Sequence, residues 1–148
     1  MRAVIQRSAH ASVTVDSKIV GKISDGLVIL LGITQNDTAE DAQYIADKIV
    51  NLRIFPDQEK EFDKSLLEVK KEALIISQFT LYASTKKGRR PDFNQAAKPE
   101  ISEPLYEKFC EYIKNYGIKV STGIFGAMMD VELINHGPVT ITIESHEK

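Results

Sequence analysis

The 148-residue chain has one cysteine, Cys110, no tryptophan, and three histidines, His10, His136 and His146. A single cysteine excludes an intrachain disulfide and suits a reducing compartment. The histidines are scattered, with no cysteine pair and no helical His–His spacing, so no zinc site is expected. Cys110 lies among apolar neighbours in a helical stretch and reads as a core residue, because free cysteine is among the most buried residue types. The longest apolar run, Leu27-Val28-Ile29-Leu30-Leu31, is far too short to span a bilayer. The first seven residues alternate apolar and polar and lack the apolar core of a signal peptide. A cytoplasmic protein without membrane contact is expected. No phosphate-binding loop of the Walker or dinucleotide type is present, since Gly123-Ile124-Phe125-Gly126 has too few glycines at the wrong spacing. There is no Gly-x-Ser-x-Gly elbow, and no cofactor is expected.

What is present describes one folded domain covering residues 1–148. Hydrophobic residues make up 43% and charged residues 27% of the chain, and the formal net charge is -2. This composition argues against disorder and against indiscriminate coating of nucleic acid. The first third has strand period: residues 3–8, then Ala11 to Val15, a turn at Asp16-Ser17, and a return strand from Lys18 to Ser24. Leu27 to Ile33 is apolar throughout, as in a strand buried on both faces. Thr38 is a candidate N-cap, and Ala42, Ile45, Ala46, Ile49 and Leu52 recur at helical spacing up to a stop at Pro56. Asp57 to Lys64 reads as a surface loop. Ala73 to Phe79 is a second buried strand. Ile101 to Tyr116 is a second helix, with Ser102 as cap, Pro104 in its first turn and Gly117 as stop. Residues 118–121, 128–134 and 139–143 are closing strands. The fold class expected is mixed α/β, a curled or barrel-like mixed sheet with two main helices packed outside.

Two short segments stand out. Ser77-Gln78-Phe79-Thr80 ends an apolar strand in a cluster of hydroxyls and an amide, which is either a solvated strand end or a site. A few residues on, Lys86, Lys87, Arg89 and Arg90 crowd round Gly88. In a slightly acidic protein this is the dense positive patch, and it is suited to anchoring phosphates near a reacting centre. The second segment, Asn135-His136-Gly137-Pro138, reads as a turn between two strands. About 5–6% of X-Pro bonds in folded proteins are cis, so spacing alone does not assign a cis bond here.

Taken together, Met1 to Arg7, Asn51-Leu52-Arg53-Ile54-Phe55, Ser77 to Tyr82, Lys87-Gly88-Arg89-Arg90-Pro91, Phe125-Gly126-Ala127 and Asn135 to Thr140 resemble the D-aminoacyl-tRNA deacylase family over essentially the whole chain. The resemblance implies a homodimer, with active sites at the subunit interface, that removes D-amino acids from mischarged tRNA by hydrolysing the ester to the terminal ribose. It implies that Ser77, Gln78, Phe79 and Thr80 are the catalytic segment, and that Leu81, Tyr82, Phe125 and Met129 line the substrate pocket. It also implies a cis Gly137-Pro138 peptide that enters the partner subunit's pocket and rejects L-amino acids. His136 is a departure, since many relatives carry Asp there.

Chemistry sets further expectations. Ser77 and Thr80 have no His or Lys nearby in sequence to act as base. The substrate supplies a vicinal ribose hydroxyl of its own, so RNA-assisted catalysis is expected, with main-chain N–H groups near Phe79 and Thr80 as the oxyanion hole; one such donor is worth about 10²–10³ in rate. A rigid Gly-Pro wall rejects L side chains without recognising D ones. It cannot reject glycine, so cleavage of glycyl-tRNA is expected, especially glycine mischarged on alanine tRNA. Two alternatives stay open: an esterase with Thr80 as nucleophile, and a non-catalytic dimeric RNA-binding module.

Overall fold

The computed structural model describes residues 1–86 and 88–146. Strand β1 (Arg2–Val15) is the long central element. It turns at Asp16 and Ser17, both at positive φ, into β2 (Lys18–Ile23), and β3 (Gly26–Gly32) follows. Positive φ at both central residues is the geometry of a tight two-residue hairpin. Helix α1 (Ala39–Asn51) leads to a small antiparallel pair, β4 (Arg53–Phe55) and β5 (Lys64–Ser65), and to the four-residue helix α2 (Leu66–Val69). Then come β6 (Glu72–Ser77), α3 (Pro99–Asn115), β7 (Val120–Thr122) and β8 (Asp130–Glu144).

The sheet order is β2-β1-β3-β6-β7, with β8 along the other edge of β1. The β3–β6 and β6–β7 pairs are parallel and those of β1 are antiparallel, which makes the sheet mixed. It curls until β7 approaches β2, where the Ser121 hydroxyl donates to the Lys22 carbonyl at 2.8 Å. Gly21 permits that approach, because a Cβ there would lie 2.3 Å from the Thr122 carbonyl oxygen. The barrel-like sheet expected from the pattern is present.

Period 2 sorts the apolar strands onto two faces. Leu27, Ile29 and Leu31 of β3, with Ala73 and Ile75 of β6, meet Ile45 and Ile49 of α1 and Phe109 and Ile113 of α3. Val28, Leu74 and Ile76 point the other way, into a second cluster with Ala11, Val13 and Ile23. The continuous apolar runs are thus buried on both sides. Each of the buried Leu, Ile, Val and Phe side chains contributes roughly 1.5–3 kcal/mol through removal from water.

Several expectations need correcting. Helix α1 ends at Asn51 with Leu52 as its cap, and β4 intervenes before Pro56. At Thr38 the Asp41 carboxylate accepts from both the main-chain N–H and the hydroxyl, at 2.9 and 3.1 Å, which closes the first turn. Helix α3 starts at Pro99 with Lys98 as cap. Ser102 is not the cap; its hydroxyl donates back to the Lys98 carbonyl at 3.1 Å. Pro104 therefore lies inside the helix. Residues 128–134 and 139–143 are not two hairpin strands, for 130–144 is one strand. Gln6 pairs with Thr140 and Ser8 with Asn135, so Arg7 alone faces the four residues 136–139, a wide bulge in place of a turn.

Candidate active site

Strand β6 delivers Ser77 opposite Leu31 of β3, and the Gln78 N–H donates to the Leu31 carbonyl at 2.8 Å. The chain then coils into one 3-10 turn, Phe79–Tyr82. The Leu81 N–H bonds the Gln78 carbonyl and the Ala83 N–H bonds the Thr80 carbonyl. The first amides of any helical turn have no acceptor within it. Among the described residues, the Phe79 and Thr80 N–H groups find no backbone acceptor outside it either. Two consecutive donors therefore stand without a backbone partner among the described residues.

Phe79 borders a cleft of about 660 Å³, within the usual size range of small-molecule sites, and Thr80 follows Phe79 in the chain. Of the residues expected at the site, Ser77, Gln78, Phe79, Phe125 and Met129 line this cleft together. Phe93, Lys98 and Val131, which the sequence did not single out, also line it. Thr80, Leu81 and Tyr82 are not among its lining residues. Tyr82 is buried with the Arg2 guanidinium 5.0 Å over its ring, and burial raises its phenol pKa. Arg2 also donates to the Leu81 carbonyl and to Glu144, both at 2.6 Å. These two residues thus fasten the turn to β1 and β8.

Thr80 is exposed, and its hydroxyl accepts from the Gln78 side-chain amide at 2.5 Å. Among the described residues, no imidazole or carboxylate lines the cleft, and the charged residue in its lining is Lys98. A trio with metal-ligand spacing, Asp37, Asp41 and His146, lies elsewhere. There Asp37 ion-pairs with the Met1 ammonium, which also donates to Ser145 at 2.8 Å, so the cluster anchors the first strand.

The basic segment forms a small hairpin. Ser84 and Asp92 exchange both backbone hydrogen bonds, at 2.7 and 2.9 Å, and Lys86, Arg89 and Arg90 are exposed near its tip. Lys87 lies outside the described residues.

The Gly137-Pro138 peptide is cis, and both residues are exposed on β8. Neither lines the cleft of its own chain. The segment is held from behind. Arg7, 4% exposed, donates from Nε to the His136 carbonyl at 2.9 Å and from Nη1 to the Ile54 carbonyl at 2.8 Å. The Asn135 Oδ1 accepts from the Val139 N–H at 2.9 Å, and its Nδ2 donates to Thr140 Oγ1 at 2.7 Å. His136 thus contributes its main-chain carbonyl. Arg7 went unnoticed in the sequence, although a signal was available. It shares strand parity with Ala3 and Ile5, and a cation on a buried face requires partners.

Similarity to known proteins extends over nearly the whole chain. A family model described as D-Tyr-tRNA(Tyr) deacylase matches residues 4–144. A D-aminoacyl-tRNA deacylase of Geobacillus sp. (strain WCH70) is 55% identical over 148 residues, covering 100% of this chain and 97% of the relative. One from Bacillus cytotoxicus is 58% identical over 145 residues, covering 98% and 99%. Among solved structures, the c-Myc DNA Unwinding Element Binding Protein superposes with a TM-score of 0.91 at 40% identity, over 97% of this chain and 98% of that one. A probable eukaryotic D-amino acid tRNA deacylase, at 20% identity and a TM-score of 0.84, shares the fold. The chain belongs to the D-Tyr-tRNA(Tyr) deacylase family.

Proposed function

We propose that this protein is an editing hydrolase that cleaves the ester bond of D-aminoacyl-tRNA, releasing free D-amino acid and tRNA in the cytoplasm. The observation that supports this most is the consecutive Phe79 and Thr80 amides, unpartnered among the described residues, with Phe79 in the lining of a cleft whose described residues include no imidazole or carboxylate. Such donors suit the oxygen that becomes charged as a carbonyl is attacked. The aminoacyl ester is already activated, so positioning and oxyanion stabilisation suffice. The substrate's vicinal ribose hydroxyl assists the attacking water. Thr80 as nucleophile is disfavoured, because its hydroxyl neighbours the Gln78 amide rather than a general base.

The working unit is a homodimer. Gly137 and Pro138 stand exposed and outside their own cleft, so the chiral wall for one cleft comes from a second copy of the chain. That wall fills the space an L side chain needs and leaves D side chains free. Glycyl-tRNA, including glycine mischarged on alanine tRNA, passes the same filter. Leu81 and Tyr82 act from beneath, holding the turn that carries the two amides. Lys86, Lys87, Arg89 and Arg90 contact tRNA phosphates.

The test uses D-tyrosyl-tRNA with either a ribose or a 2′-deoxyribose at the terminal adenosine. Thr80→Ala is expected to retain most of the activity on the ribose substrate, and the deoxy substrate is expected to resist both enzymes. Cleavage of the deoxy substrate together with loss of turnover in folded Thr80→Ala would establish the nucleophilic alternative instead.

A further inference from the structure

Phe79 serves the cleft with its backbone, yet its ring is 56% exposed. That ring is held by Phe93, with centroids 5.1 Å apart and planes inclined at 69°. Phe93 is fixed in turn. It follows Asp92, which closes the basic hairpin against Ser84, and its carbonyl accepts from the Ala96 N–H at 3.0 Å. The next residues are tied to the end of β3, where the Ala97 N–H donates to the Ile33 carbonyl at 2.9 Å and the Thr34 hydroxyl to the Gln95 carbonyl at 2.6 Å. The two rings thus form a fixed aromatic rim that joins the cleft to the hairpin.

Charge is arranged along the same path. Lys86, Arg89 and Arg90 are exposed and form no ion pair among the described residues. Arg90 lies three residues before Phe93, at most about 11 Å away along the chain. The 125–131 part of the lining carries no cation, whereas Lys98 lies on the Phe93 segment. A cleft of about 660 Å³ accommodates a terminal nucleoside with its amino acid and little more, so a longer strand must leave it. The cationic, aromatic side is where a polyanion with flat bases leaves most favourably. Proteins that hold single strands combine these two features, aromatic faces for bases and cations for the backbone.

We propose that the exposed Phe79 ring, braced edge-on by Phe93, is a stacking platform for the unpaired base preceding the terminal adenosine, with the hairpin cations on the adjoining phosphates. This rests on the cleft being the seat of the aminoacylated adenosine. It adds a specificity element outside the ester itself: an RNA strand is preferred over a lone nucleoside ester through base stacking as well as charge.

The test compares three D-tyrosyl esters, all with a 3′-terminal ribose: adenosine alone, a three-nucleotide RNA ending in adenosine, and the same RNA lacking the base next to the adenosine. Stacking of one base is worth roughly five- to a hundredfold. The unaltered enzyme is expected to cleave the intact trinucleotide more efficiently than the abasic one by such a factor. Phe93→Leu is expected to remove most of that gap, and Phe93→Tyr to keep it. Equal cleavage of intact and abasic trinucleotides by the unaltered enzyme would overturn the platform, and this comparison needs no variant to fold. An equal loss on all three substrates in Phe93→Leu would overturn it too. D-Tyrosyl-tRNA is run alongside: its cleavage with none of the three fragments cleaved would overturn the platform alone, and failure to cleave it would overturn the deacylase reading and the platform with it.

Discussion

The Arg7 guanidinium donates from Nε to the His136 carbonyl at 2.9 Å, tying a buried cation on β1 to the peptide unit just before Gly137-Pro138. The bulge of β8 opposite Arg7 makes room for this contact, and the second bond, to the Ile54 carbonyl, fixes the guanidinium plane. Lys in place of Arg keeps the charge but loses the planar fork. Arg7→Lys is expected to lower the ratio of D- to L-tyrosyl-tRNA hydrolysis at least about tenfold, corresponding to roughly 1.4 kcal/mol of lost discrimination. A purely structural role would leave that ratio unchanged while lowering both rates.

Gly137 has φ +139, and a Cβ there would lie 2.7 Å from Val139 Cγ2 and 2.9 Å from the Val139 nitrogen. Gly137→Ala combines a backbone region that L side chains rarely adopt with a contact against main chain. The expected destabilisation is about 1–3 kcal/mol, read by denaturant unfolding, together with a loosened wall and a rise in L-aminoacyl-tRNA hydrolysis relative to D.

Alkaline pH is expected to weaken the fold. Burial pushes the Cys110 thiol up from 9.0 to about 11, and it raises the Tyr106 and Tyr82 phenols above their ordinary 10.0. All three are neutral when protonated, so the folded state holds its protons to higher pH than the unfolded chain. Below about pH 9 these groups make no pH-dependent contribution. Above it the unfolded chain loses protons first and stability falls. Cys110 alone accounts for about 1–3 kcal/mol by pH 11. Urea unfolding from pH 7 to 11 checks the sign, and Cys110 is expected to react with thiol reagents only when the protein unfolds.

Replacing Lys86, Arg89 and Arg90 with Gln is expected to weaken tRNA use and flatten its salt dependence. Each lost single-strand phosphate contact removes roughly 0.7 from the slope of log kcat/KM against log salt, so the triple substitution removes roughly 2. An unchanged slope would place the phosphate contacts elsewhere.

The parts of this fold legible in the sequence are those set by local rules. The apolar runs of β3 and β6 announce burial on both faces, and the Asp16-Ser17 turn and the Thr38 cap lie where short-range chemistry puts them. The start of α3 departs from the pattern because Ser102 has the side chain of a cap, while Pro99, three residues earlier, has the better backbone. The short elements β4, β5 and α2 lack the length for a period to register. At the site, the polar strand end at Ser77 to Thr80 and the basic hairpin were legible from composition. The cis Gly137-Pro138 peptide was implied by the family resemblance alone, and the bulge around it was not legible, because it depends on one residue of β1 facing four of β8. Phe93 was hidden in a polar loop, and only the fold brings it against Phe79.

The most direct measurement sets D-tyrosyl-, L-tyrosyl- and glycyl-tRNA side by side at one enzyme concentration and follows release of the amino acid. The account predicts hydrolysis of the D-tyrosyl and glycyl esters. The L-tyrosyl ester is expected to be slower by at least about two orders of magnitude, which corresponds to roughly 2.8 kcal/mol of steric exclusion. Equal hydrolysis of D- and L-tyrosyl-tRNA, or sparing of glycyl-tRNA at enzyme levels that clear the D ester, would contradict it.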